Sequence, residues 1–240
     1  MSRHPVLLYV LGHPPDPVAA AHGPFRRWFE RIAGDTLDLR VFDGTTGAVP
    51  ASPEEFAGAV LTGSPASMTE PEPWMEIAVE WLRHAAHAGT PVLGVCFGHQ
   101  LIGAAYGGSV IKNPCGWEMS THAVELTEDG RADLLFEGLD HRFDVNLSHA
   151  DIVDADTLAP ANGIRVLARN PMSEVQALAA GDSIRGVQFH PEFTGAIARS
   201  YVEHRRDRLA DPDAMAARAR DCPAGAAVFA NFTKHWIQRA

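Results

Sequence analysis

The sequence predicts an α/β fold: a central, mostly parallel sheet flanked by helices, with an antiparallel β extension. Three features point there. Apolar runs of strand length alternate with segments whose apolar residues recur at helical spacing, the pattern of a layered α/β chain. The run Pro91–Val95 is continuously apolar, as a strand buried on both faces of a parallel sheet must be. From about Ser109 the helical spacing fades and short β-like segments follow one another, which predicts antiparallel additions to the sheet.

In chain order, Val6–Leu11 reads as a first buried strand, stopped by Gly12 and the Pro14/Pro15 pair. Phe25, Trp28, Phe29 and Ile32 recur at helical spacing behind Pro24, which predicts an amphipathic helix. Leu37–Phe42 is a second strand, and Ala57–Thr62 a third that ends in the turn Gly63-Ser64-Pro65. Trp74, Ile77, Ala78, Trp81, Leu82 and Ala85 form one apolar stripe, stopped by Gly89. After the strand Pro91–Val95, His99 to Tyr106 reads as a helix closed by Gly107-Gly108. The later β-like segments are Thr121–Leu126, Arg142–Leu147, Ile164–Ala168, Val175–Ala179 and Ile184–Phe189. Ile197–Leu209 and Ala226–Ile237 are helical in composition and predict a helical C-terminal extension over about 195–240. With no repeat, low-complexity tract or linker in view, one domain over residues 1–240 is expected.

Composition bounds the function. Hydrophobic residues make up 46% and charged residues 21% of the 240, the balance of an ordinary globular protein. The net charge of −10 argues against a general nucleic-acid or anionic-membrane surface, since both need clustered Lys and Arg. The N-terminal apolar run is too short for a signal segment or a membrane span, so a cytoplasmic location is expected. The three cysteines, Cys96, Cys115 and Cys222, form no CxxC pair, so neither a zinc site nor a disulfide framework is suggested. His84, His87, His122, His141, His204 and His235 show no HExxH or Cys/His clustering. Solvated or capping histidines are expected, with no metal and no cofactor.

The sharpest local feature is Gly94-Val95-Cys96-Phe97-Gly98, a G-x-C-x-G between a predicted strand and a predicted helix. Its serine counterpart is the nucleophile elbow, a strained turn that lifts the reactive atom out of the sheet. Side chains two residues either side would collide across such a turn, which explains the glycines. The helix N-terminus favours negative charge on the sulfur, and the Phe97 N–H faces a developing oxyanion. A base with an orienting group is offered by Val187-Gln188-Phe189-His190-Pro191-Glu192, where the Glu192 carboxylate can reach the far nitrogen of the His190 ring. Leu61-Thr62-Gly63-Ser64-Pro65 has the form of a strand-end turn that presents backbone N–H groups to a ligand.

These segments, in this order, closely resemble the class I glutamine amidotransferases, the Cys-His-Glu triad family with a flavodoxin-like core. The match is GVCFGHQ at Gly94–Gln100, VQFHPE at Val187–Glu192 and LTGSP at Leu61–Pro65. Leu147-Ser148-His149-Ala150-Asp151 is similar to a segment of the glutaminase domain of GMP synthetase. The resemblance implies that Cys96 attacks a glutamine carboxamide to form a γ-glutamyl thioester, with His190 moving the proton and Glu192 orienting it. It implies an oxyanion hole from the backbone N–H groups of Phe97 and Ser64, with Gly63 as the near alternative. It gives Gln100 and the Ser148–His149 backbone to the glutamyl part of the substrate. Ala150 stands where family members often have Gly, which reshapes the pocket.

No ATP-binding or P-loop pattern accompanies the glutaminase-like segment, so the expected partner is an ammonia-accepting synthetase subunit, or the chain acts alone. Two other functions stay open: a γ-glutamyl hydrolase or peptidase using the same thioester chemistry on a conjugate, and a non-catalytic regulatory subunit. Of the remaining signals, Gly116-Trp117-Glu118 reads as a turn with a packing aromatic in preference to part of the pocket rim, and Arg205, Arg206 and Arg208 as a solvated helix face.

Overall fold

A computed structural model describes residues 4–159 and 162–238. The apolar run after Pro5 forms β1 (Val6–Val10), every residue of which is buried. Alternate residues point to opposite faces, so Val6, Leu8 and Val10 join one apolar cluster while Leu7 and Tyr9 join another. A strand with two buried faces needs helices on both sides. On the first face lie α2 (Phe25–Ala33), through Phe29, and α8 (Pro223–Phe232), through Val228, Phe229 and Phe232. On the second lie α3 (Pro73–Ala88) and α4 (Phe97–Ala105), through Trp74, Ala78, Leu82, Leu101 and Ile102.

The chain runs β1, α1 (Asp16–His22), α2, β2 (Leu39–Asp43), β3 (Gly58–Leu61), α3, β4 (Val92–Val95), α4 and β5 (Val110–Lys112). It continues through β6 (Glu118–Leu126), α5 (Glu128–Ala132), β7 (Arg142–His149), β8 (Asp151–Val153), β9 (Ile164–Asn170), β10 (Ser173–Ala180) and β11 (Ile184–Val187), then α6 (Gly195–His204), α7 (Pro212–Arg218) and α8. The nine-stranded sheet has the order β2-β1-β3-β4-β11-β10-β9-β6-β7, and β5 pairs with β8 in a separate ribbon. α3 stops where the sequence places its stop: Gly89 takes φ 73° and its N–H returns to Ala85 and Ala86 carbonyls, a left-handed cap that only glycine adopts without strain.

Four of the late strands are antiparallel additions, as the sequence predicts. β11 is the correction: it lies parallel to β4, with Val187 opposite Val95, while pairing antiparallel with β10. It therefore belongs to the parallel core, and this places residue 188 onward beside residue 96 onward at the carboxyl edge of the sheet. Ligands bind at that edge in open α/β sheets. The helical tail has two roles. α8 covers one sheet face, and α6 packs Ile197, Tyr201 and Val202 with Trp28, Met119 and Phe193 in a third apolar cluster.

Candidate active site

Cys96 follows β4 directly and takes φ 53°, ψ −99° as the cap of α4. A non-glycine residue at positive φ stores on the order of 1–3 kcal/mol of strain. The flanking glycines are what permit the turn. A Cβ on Gly94 would lie 2.5 Å from the Gly98 carbonyl oxygen, and one on Gly98 would lie 2.5 Å from that of Leu61. The Gly98 N–H donates to the Thr62 carbonyl (3.2 Å), which ties the start of α4 to the end of β3. Phe97, first in the helix, has an N–H with no intrahelical partner; its ring packs away from the turn against Trp74 at 5.6 Å.

The β11 register brings the second group in. The Cys96 N–H donates to the Val187 carbonyl (2.8 Å), and His190 N–H donates to the Asn146 carbonyl (2.9 Å). Gly63 is wedged between them: a Cβ there would meet His190 Cε1 at 2.9 Å and Cys96 Cβ at 3.6 Å. The His190 Nδ1–H donates to Glu192 Oε1 (2.7 Å), with both groups buried. Burial disfavours a charged ring, but the Glu192 carboxylate and the Cys96 sulfur outweigh it and push the His190 pKa up to about 10. The backbone carbonyl of Glu192 accepts from Arg31. The imidazole is clamped from its face by Phe193 at 3.9 Å and 15°, and Phe193 in turn stacks on Tyr201 at 4.9 Å.

A cavity of about 320 Å³ opens beside Cys96, and Ser64, Gln100, Ser148 and His149 all line it. Ser64, Gln100 and His149 have side-chain tethers, whereas the buried Ser148 Oγ has no hydrogen-bond partner among the described residues. The Gln100 amide is buried and donates to the Asp151 carbonyl (2.8 Å) and Gln188 Oε1 (3.2 Å). The Ser148 carbonyl lies 4.0 Å from the Cys96 sulfur. His149 Nδ1 is 3.0 Å from the Asp151 carbonyl, and its Nε2 approaches Glu118 Oε2 at 3.0 Å. Ala150 is on the cavity wall, and its carbonyl is held by the Asn113 N–H at 2.8 Å.

Several residues escaped the sequence reading. Glu118 is fully buried rather than part of a packing turn, and it also accepts from Asn170 and from Gln176 Nε2 (2.8 Å). The Asp151 carboxylate takes Ser67 Oγ at 2.5 Å and Lys112 Nζ at 2.9 Å. Arg205 lies on the cavity wall, so the solvated-face reading holds for Arg206, which pairs with Glu203 and Asp213, and for Arg208, which is exposed at the cavity rim. No local pattern marks these roles, because each depends on strands far apart in the chain. Among the described residues no group of His, Cys, Asp or Glu is arranged to hold a metal ion, and no helix is long and apolar enough to cross a membrane.

A family model described as glutamine amidotransferase class-I matches residues 37–205. The chain belongs to that family. Among its relatives, one subunit of the glutamine-hydrolyzing GMP synthase of Methanococcoides burtonii is 32% identical over 173 residues, 71% of this amidotransferase and 83% of that protein. The glutamine-hydrolyzing GMP synthase of Aeropyrum pernix is 39% identical over 136 residues. This chain spans about a quarter of that relative's length (24%). A crystal structure of a glutamine amidotransferase from Methylobacillus flagellatus superimposes with a TM-score of 0.75 at 20% identity, covering 97% of this chain and 95% of the other. One from Thermotoga maritima gives the same TM-score at 19% identity, over 98% and 99%. The amidotransferase fold is thus shared across nearly the whole chain, the helical tail included.

Proposed function

We propose that this amidotransferase hydrolyses the amide of a γ-glutamyl compound, with glutamine as the parent substrate, through a thioester on Cys96. His190 already holds the thiol proton as an imidazolium against Glu192, and the sulfur bonds to the amide carbon with that proton kept on the ring. The oxyanion is received by the backbone N–H of Phe97 and by that of Ser64 or Gly63. When the C–N bond breaks, His190 returns the proton to the departing amine, which is ammonia in the case of glutamine. Water then attacks the thioester with His190 as base, releasing glutamate and restoring the thiol. Gln100, Ser148 and His149 hold the glutamyl portion. The observation that carries this reading is the packing of Cys96 and His190 on either side of Gly63, with Glu192 2.7 Å from the ring nitrogen of His190.

Two further parts go beyond the triad. Relatives that this chain covers for most of their length are named as one subunit of a GMP synthase, which supports a separate synthetase subunit to accept the ammonia. A γ-glutamyl conjugate in place of glutamine is favoured by one feature, the Arg205 guanidinium at the cavity. That the chain keeps Cys96, His190 and Glu192 supports a catalytic over a non-catalytic role. The test is release of glutamate from glutamine and from a panel of γ-glutamyl amides, beside a Cys96→Ala control. Release by the wild type and none by the variant is expected; release that persists in the variant would remove Cys96 from the reaction.

A further inference from the structure

α6 ends at Arg205, whose N–H turns back to the Tyr201 and Val202 carbonyls at 3.2 and 3.1 Å. The side chain leaves the helix end and lies along the cavity wall, its guanidinium 4.9 Å from the Trp117 ring and 5.4 Å from the Tyr201 ring. The aromatic faces hold the guanidinium plane but accept few of its N–H donors. Nη1 is buried with no hydrogen-bond partner, and Arg205 forms no ion pair among the described residues. A buried charged donor left unpaired is costly, and a stacked, planar fork is pre-organised for an oxyanion such as a carboxylate.

The other charges at the cavity do not compete for it. Lys112 is taken by Asp151 and Ser67. Glu70 and Glu72 are exposed on the loop after β3, and Arg208 is exposed at the rim. The neighbours of Arg205 link it to the reacting groups. His190 stacks on Phe193, Phe193 on Tyr201, and Arg205 lies over Tyr201. That stack joins Arg205 to His190, the group that hands the proton to the departing amine. The Ser148–Asp151 segment is given to the glutamyl end.

We propose that Arg205 is the recognition residue of a leaving-group subsite, and that the chain prefers γ-glutamyl amides whose amine portion carries a carboxylate. This rests on the Cys96 reaction proposed above. The probes are γ-glutamylglycine and its uncharged analogue γ-glutamylglycinamide. Wild type is expected to favour the acid in kcat/KM by about 10- to 100-fold, the discrimination of one charge-assisted contact. Arg205→Gln is expected to bring that ratio near one, and Arg205→Lys to restore part of it. A wild-type ratio near one, or a ratio that survives Arg205→Gln, overturns the proposal. An equal loss on both probes does so too, placing Arg205 at the glutamyl carboxylate. Calorimetric titration of Cys96→Ala protein separates the two readings. Tighter binding of the acid that depends on Arg205 upholds the subsite even where no glutamate is released, whereas failure of both probes to bind overturns it.

Discussion

Gly63 presses against His190 so closely that a single methyl group on it would lie 2.9 Å from the imidazole Cε1. Neither group has room to yield, since the ring is stacked on Phe193 at 3.9 Å and bonded to Glu192 at 2.7 Å. Gly63→Ala is expected to fold and to lower kcat/KM on a γ-glutamyl amide by about 100-fold, the cost of an ångström-scale misplacement of a reacting group. Steady-state kinetics beside a thermal melt checks this; full activity would mean the ring has slack that the packing denies it.

Glu192 sets the charge of His190. Without the carboxylate, burial is opposed only by the Cys96 sulfur, so Glu192→Gln is expected to drop the His190 pKa well below about 10, toward its ordinary value near ~6.5. NMR titration of the ring reads this directly. In the native state the raised pKa contributes stability that is complete below about pH 6.5 and is lost as pH rises through about 10. Urea midpoints of the wild type and the variant should differ most at pH 6 and converge above pH 10. Activity of the variant should fall by about 10³- to 10⁴-fold, by analogy with loss of an orienting carboxylate.

His99 behaves in the opposite sense. It is fully buried under Gly186, and burial holds it neutral, with a pKa pushed down to about 3. The unfolded chain takes up a proton near ~pH 6.5 that the folded chain refuses. Its contribution is therefore present above pH 6.5 and lost as pH falls toward 3. His99→Gln is expected to be less stable at neutral pH, yet to lose stability less steeply with acid in denaturant titrations. Equal slopes would contradict the neutral, buried ring.

Glu118 holds His149 at 3.0 Å from beneath the cavity. Glu118→Gln keeps the shape but sets an amide donor against one of the donors of Asn170 and Gln176, and it removes the charge opposite His149. Breaking a buried pair from one side costs about 3–5 kcal/mol, so a lowered melting temperature is expected together with a raised KM. A kcat loss at unchanged KM would show that the pair serves the reaction rather than the wall that receives the substrate.

What the sequence makes legible is what is decided locally. The collisions that force glycine at positions 94 and 98 occur within one turn and its neighbouring strand end, and they are visible as G-x-C-x-G. The stripe of α3 and its Gly89 stop are equally local. The His190–Glu192 bond spans two residues and follows from spacing. By contrast, α1 buries only Val18 and begins at a proline-rich turn, so it has no stripe to read. The direction of β11 is decided by which strand it lies beside, and an apolar run is the same in either direction. Glu118 and Arg205 look like surface residues because their partners, Gln176 for one and Trp117 for the other, lie 58 and 88 positions away.

The seating of β11 against β4 also sets when Cys96 and His190 can come together during synthesis. Cys96 leaves the ribosome early, but the strand that carries His190 to it pairs about ninety residues later in the chain. Until then the edge of β4 has no partner on that side, and the thiol has no proton acceptor beside it. On the reaction proposed above, a nascent chain is expected to be silent toward γ-glutamyl compounds, and a product truncated before residue 184 to keep the thiol turn without the strand that brings His190 to it.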